Sequence, residues 1–137
     1  MMGSSDSEPS ASRRNHRVLV VDDCIDNAEM MTEALSHFGY QTALAHDGPT
    51  ALSLAQTFKP HVVVLDIELP GMNGIELSRQ LCADHGPKLT VIAISGYASA
   101  RYGEEAAAAG VQHYFLKPVE LGKLEDLLLT VLPPSRG

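Results

Sequence analysis

Tryptophan is absent from this chain, cysteine occurs only twice, and aromatic residues make up 5% of it. Cys24 and Cys82 are too few to form the framework that staples small secreted domains, and their spacing suits no metal site. A reducing compartment is therefore expected. No apolar run exceeds about six residues, against the roughly 20 that a membrane span needs. The start of the chain is Ser-rich and polar, without the apolar segment of a secretory signal. The cytoplasm is the expected location, with no direct membrane partner. Positive charge is also scarce. Ten Lys and Arg against 17 Asp and Glu give a net charge of −7, which argues against a protein that grips nucleic acid by neutralising phosphates.

The chain does contain four short apolar runs that each end on a reactive polar residue. Val18-Leu19-Val20-Val21 ends in Asp22-Asp23, and Val62-Val63-Val64-Leu65 ends in Asp66. Val91-Ile92-Ala93-Ile94 ends in Ser95, and Tyr114-Phe115-Leu116 ends in Lys117-Pro118. Runs of this length, rich in β-branched residues and separated by helical patterns, read as buried parallel strands. With 45% hydrophobic and 20% charged residues over 137 positions, one soluble domain with a proper core is expected.

Residues 1–16 lack apolar periodicity and read as a disordered tail or a cloning remnant. Residues 133–137 begin with Pro133-Pro134 and cannot continue a helix, so they read as a tail or linker stub. Between them, residues 17–132 read as five β-α units. Strands are expected at about 17–22, 41–45, 61–65, 90–94 and 112–116. Helices are expected at about 26–37, from Asp47-Gly48-Pro49 to near Phe58, at 74–83, at 99–109, and over a final stripe of Leu121, Leu124, Leu127, Leu128 and Val131. Gly39 and Gly110 stand where helices should close. Strict alternation with right-handed crossovers gives a doubly wound α/β fold with a five-stranded parallel sheet and five helices.

In an open α/β sheet, ligands bind beyond the carboxyl ends of the strands. That edge would gather Asp22, Asp23, Asp66, Ser95 and Lys117. Three carboxylates within about 5 Å repel by roughly 3 kcal/mol per pair at an effective dielectric near 20, so they must protonate or hold a cation. They are hard oxygen donors, too few for a calcium cage, and Mg²⁺ suits them because it keeps waters and leaves room for a phosphate oxygen. Alone, the Asp22-Asp23 pair reads equally well as a helix cap. A carboxylate can also serve as nucleophile and form an aspartyl-phosphate. Lys117 would hold phosphoryl oxygens as a point charge, Ser95 would donate a hydroxyl, and Gly96 would leave room beside it.

These residues resemble the receiver domain of two-component response regulators. The resemblance runs over about residues 17–132. It rests on VLVVDD at Val18–Asp23, VVVLDIELPGMNG at Val62–Gly74, AISGY at Ala93–Tyr97 and FLKP at Phe115–Pro118. It implies a flavodoxin-like fold with strand order 2-1-3-4-5. It implies that Asp66 accepts a phosphoryl group from a phosphohistidine of a histidine kinase or histidine phosphotransfer domain. Asp22 or Asp23, Asp66 and the backbone carbonyl of Glu68 would ligate Mg²⁺, and Ser95 and Lys117 would contact the phosphate. Family members often carry a cis peptide where Lys117-Pro118 stands, and X-Pro is where that bond is tolerated. Ser95 and Tyr114 would form the conformational switch. Glu68 and Tyr97, at positions where receivers vary, would tune the lifetime of the phosphoryl bond. The helix 4, strand 5 and helix 5 face would carry output or a homodimer.

Only self-phosphorylation and self-dephosphorylation chemistry is expected, not turnover of a free substrate. A haloacid-dehalogenase-like phosphohydrolase also uses a strand-end Asp, a Ser/Thr, a Lys and Mg²⁺. Its nucleophile, however, belongs to an Asp-x-Asp motif, and Glu68 holds that second position here. A flavin or nucleotide module would need a Gly-rich loop after strand 1. A degenerate receiver used only for docking would lack part of the acidic and Lys set. The AISGY and LKPV segments also resemble receivers fused to hybrid histidine kinases, so a stand-alone regulator and a station in a phosphorelay both remain open.

Overall fold

Successive strand residues point to opposite faces of a sheet, so a strand covered on both sides must be apolar at every position. The computed structural model, which describes residues 16–69, 73–96 and 100–132 (backbone only over 100–102), shows this along the interior of the three central strands. Strand β1 (Arg17–Val21) sends Val18 and Val20 into one buried cluster and Leu19 and Val21 into another. The same division holds in β3 (Val62–Asp66) and β4 (Thr90–Ser95), with Val62, Val64, Ile92 and Ile94 on one side and Val63, Leu65, Val91 and Ala93 on the other. The edge strands are β2 (Gln41–Ala45) and β5 (Val111–Leu116). All pairings are parallel, in the order β2-β1-β3-β4-β5.

Helices α1 (Ile25–His37) and α5 (Leu121–Val131) cover the first face through Ala28, Leu35, Leu124 and Leu128. Helices α2 (Gly48–Phe58), α3 (Gly74–His85) and α4 (Ala100–Ala108) cover the second through Ala51, Ala55, Leu77, Leu81 and Ala106. The expected fold class, strand order and helix number are all observed. Local signals set the ends. The Asp47 carboxylate accepts the Thr50 N–H at 2.7 Å, and the Asn73 side chain accepts the Ile75 N–H at 2.7 Å, satisfying N–H groups that a helix start leaves open. Gly39 and Gly110 adopt φ of 105° and 101° at helix ends, where a side chain would be strained.

Some boundaries differ from expectation. Strands β3 and β4 each run one residue further, so Asp66 and Ser95 are strand residues rather than the first loop residues. The sheet ladder continues past them: Ile67 N–H donates to the Ile94 carbonyl at 2.9 Å and Lys117 N–H to the Ser95 carbonyl at 2.8 Å. Helix α3 extends two residues beyond the expected end, to His85, and is capped by Gly86 at φ 81°. The tail expected over residues 1–16, apart from His16, and residues 133–137 lie outside the described residues. Among the described residues, no helix is long and apolar enough to cross a membrane.

Gly74 is set by close approach rather than by φ. A Cβ there would lie 2.6 Å from the Ile67 Cα and 2.7 Å from its carbonyl oxygen, while Gly74 N–H donates to that same oxygen at 3.0 Å. This contact ties the start of α3 to the loop that follows Asp66. Gly103, inside α4, faces open space. Gly74→Ala should therefore cost about 2–3 kcal/mol through backbone displacement, whereas Gly103→Ala should stabilise by roughly 0.5–1 kcal/mol through helix propensity. Urea unfolding followed by far-UV circular dichroism tests the pair. Equal effects of the same sign would contradict the close-approach reading.

Candidate functional site

The parallel sheet delivers its strand ends to one edge. Asp66 closes β3 and is 4% exposed, and Ser95 closes β4 and is fully buried. Asp22 and Asp23 follow β1, the first half-buried and the second exposed. One oxygen from each of Asp22, Asp23 and Asp66 can be chosen so that all lie within 4.8 Å of one another. The helix-cap alternative for the Asp pair does not hold. Helix α1 starts from Cys24 without a side-chain cap, and Asp22 Oδ1 instead accepts the Cys24 N–H at 2.9 Å.

Lys117 enters this cluster from the far side. Its Nζ donates to Asp66 Oδ2 at 2.8 Å, and the other oxygen, Oδ1, accepts the backbone N–H of Glu68 at 2.8 Å. A buried carboxylate without such donors would carry a large desolvation penalty. The Lys117-Pro118 peptide is cis. An irregularity in the β4–β5 pairing contributes to the arrangement. Val91 pairs with Val111 but Ile92 with His113, so Ser95 comes to stand opposite Leu116 and Lys117 follows directly. A one-residue bulge of this kind re-aims every side chain after it. Nothing in the amino-acid pattern announces it.

Glu68 makes contacts that the sequence did not suggest. Its Oε2 accepts hydrogen bonds from the Ser95 hydroxyl and, at 3.1 Å, from the Gly96 N–H. Its Oε1 lies 3.8 Å from Lys117 Nζ. Gly96 was expected to leave room for a phosphoryl group; against the protein itself a Cβ there would make only an ordinary contact, 3.8 Å from Glu68 Oε1. What Gly96 brings is its backbone N–H, a donor common to every non-proline residue and invisible to motif reading. A second contact outside the sequence reading joins His46 Nδ1 to the Asp22 carbonyl at 3.1 Å. Tyr114 lies in β5 opposite Ala93, half-buried against the core cluster beneath α2, α3 and α4. Tyr97 lies outside the described residues.

The charges explain the titration behaviour. Burial pushes the Asp22 carboxyl above its ordinary value of 3.8; the Cys24 N–H opposes this, Asp66 adds to it, Lys117 opposes it and Asp23 adds to it. For Lys117, burial alone favours the neutral amine. The hydrogen bond and charge of Asp66, with Glu68 and Asp22 behind it, outweigh burial and hold the ammonium above its ordinary range. The oxygen-only donor set and its excess of negative charge fit a small divalent cation.

A carboxyl whose pKa rises on folding stabilises the fold below its unfolded value, and that contribution is lost as pH rises through the folded value. In chelator, Asp22→Asn should therefore exceed the parent in stability at pH 7, by less than about 1 kcal/mol because Asp22 is half-exposed. The advantage should shrink as pH falls toward the ordinary value of 3.8, and added Mg²⁺ should reverse it by stabilising the parent more. Urea unfolding across pH, with and without Mg²⁺, measures this, and a gap independent of both would contradict it.

Comparison with known proteins gives a consistent picture. The family model for the response regulator receiver domain matches residues 18–129. The DNA-binding response regulator MtrA of Mycobacterium tuberculosis is 41% identical over 103 residues, 74% of this chain but 44% of that protein. The chain thus spans less than half the length of that relative. Sporulation initiation phosphotransferase F of Bacillus subtilis is 32% identical over 120 residues, covering 87% of this chain and 95% of that one. The structure of chemotaxis protein CheY4 of Vibrio cholerae matches with a TM-score of 0.80 at 28% identity, covering 85% and 98% of the two chains. A response regulator of Burkholderia pseudomallei, solved with a phosphorylated aspartic acid, a calcium ion and citrate, matches with a TM-score of 0.76 at 29% identity, covering 86% and 67%. The family match, the whole-length relative and the structural likeness agree, and the chain belongs to the receiver domains of two-component response regulators.

Proposed function

We propose that Asp66 is the phosphoacceptor of this receiver and takes its phosphoryl group from a phosphohistidine on a histidine kinase or histidine phosphotransfer domain. The observation that carries the proposal is the contact of Lys117 Nζ with Asp66 Oδ2 at 2.8 Å beside three carboxylates within 4.8 Å. An Asp66 oxygen bonds to phosphorus as the P–N bond breaks, and the imidazole nitrogen leaves with the bonding pair. Asp22, Asp23, Asp66 and the backbone carbonyl of Glu68 are the groups that would hold Mg²⁺. When bound, Mg²⁺ supplies positive charge to the phosphoryl oxygens as a Lewis acid.

The residues of the chain do the remaining work. Lys117, already charged and held by Asp66, is placed to follow the developing charge. The Ser95 hydroxyl is a donor for a further phosphoryl oxygen. Its turn toward the new group, with Tyr114 moving in response, would be the two-state element that phosphorylation biases. Beside the site, a cavity of about 460 Å³ runs from Asp22 and Lys117 past Met31, Pro118 and Leu121, with Met30, 59% exposed, also in its lining. That apolar rim supports docking of the donor protein on the α1 side. No turnover of free substrates is proposed, and the cytoplasm is the proposed location. Output, or self-association through α4, β5 and α5, belongs to the same proposal.

Intact-mass measurement after incubation with acetyl phosphate tests the acceptor. The parent should gain a labile, Mg²⁺-dependent phosphoryl adduct that Asp66→Asn lacks. No adduct under any condition would point to a docking module, and steady phosphate release from unrelated phosphomonoesters to a hydrolase. Once phosphorylated, Glu68→Gln and Tyr97→Ala should lose the adduct at rates different from the parent, since both residues are proposed to guide or block the hydrolytic water. Equal decay rates in all three proteins would remove that role.

A further inference from the structure

The Glu68 carboxylate is occupied in a way that phosphoacceptor chemistry alone does not require. It takes the Ser95 hydroxyl and the Gly96 N–H on one oxygen and faces Lys117 Nζ at 3.8 Å with the other. A hydroxyl, a backbone N–H and an ammonium converging beside Asp66 make an oxyanion seat. In this structure the anion in that seat belongs to the protein itself.

The chain holds Glu68 to this position from both sides. Ile67 and Leu69 are 1% and 7% exposed, so the flanking residues are anchored in the core. The Glu68 N–H is tied to Asp66 Oδ1 at 2.8 Å, and Ile67 is fixed by Ile94 at 2.9 Å and by Gly74 at 3.0 Å. With its backbone immobilised, only the side chain's own rotamers remain to be ordered to reach Ser95, and tethering gives it a high effective concentration there.

We propose that Glu68 is a tethered competing anion that fills the Ser95 and Gly96 donors at rest and must be displaced when a phosphoryl group arrives. The inference rests on Asp66 being the phosphoacceptor. It makes Glu68 a gate on arrival, separate from any effect on hydrolysis. It also gives the Ser95 switch a defined starting point, since the hydroxyl exchanges one anionic partner for another instead of acquiring its first.

Binding of beryllofluoride, a non-covalent stand-in for the phosphoryl group, tests this on the full chain at saturating Mg²⁺. Amide chemical shifts report the titration, as the chain has no Trp. Glu68→Ala removes the carboxylate. Glu68→Asp keeps the charge but withdraws it by one methylene, out of reach of Ser95 and Gly96. Both variants should bind about tenfold more tightly than the parent, the scale of one charge-assisted hydrogen bond released from competition. In a Ser95→Ala background the gain from Glu68→Ala should shrink. A gain in Glu68→Ala with none in Glu68→Asp would reduce the effect to charge repulsion and overturn the proposal, as would no gain in either. Binding by none of the folded proteins would instead overturn the phosphoacceptor reading on which it rests.

Discussion

A carboxylate withdrawn from water governs the architecture of this site. Asp66 closes the central strand at 4% exposure, and at that depth an ionised carboxylate persists only where donors replace its lost hydration. The fold supplies them from two directions, the Lys117 ammonium on Oδ2 and the Glu68 N–H on Oδ1. Each donor then constrains its surroundings. Lys117 must reach Asp66 from the end of β5, which ties the edge strand to the centre of the sheet. Glu68 must present its N–H backward, which shapes the loop between β3 and α3.

The rest of the site follows from charge. Asp22, Asp23 and Asp66 approach one another, and Lys117 stands as a cation between Asp66 and Glu68. Burial and neighbouring carboxylates raise the Asp22 carboxyl, and the same acids sustain the Lys117 charge against its own burial. An arrangement with surplus negative charge, oxygen donors and one ammonium has the chemistry that suits a divalent cation. Glu68 turns to Ser95, Gly96 and Lys117, and the proposed competition with an incoming phosphoryl group rests on those three contacts.

Much of the fold was legible because burial leaves a direct trace in composition. Strands covered on two faces must be apolar throughout, so β1, β3 and β4 stand out as continuous runs. Helix ends were marked where special backbone geometry demanded Asp47, Gly39 or Gly110. The limits of β3 and β4 were less visible, because polar Asp66 and Ser95 look like loop residues. Backbone hydrogen bonding does not respect that chemistry, and the ladder continues to Ile67 and Lys117. The contact of Gly96 with Glu68 was hidden for a related reason, since it is made by an N–H that carries no side-chain signature.

By itself the sequence determined the doubly wound sheet and the set of polar residues at its carboxyl edge, because both follow from local alternation and from where each apolar run stops. Tertiary structure decided who touches whom. Asp66 meets Lys117 across 51 positions and Glu68 meets Ser95 across 27, and neither pairing is encoded in any local pattern. The shift in the β4–β5 register sets Ser95 against Leu116 and Lys117 just beyond it. One residue of register reverses which face a strand residue occupies, so the contacts of Lys117 with Asp66 and Glu68 become defined only once β5 has docked beside β4.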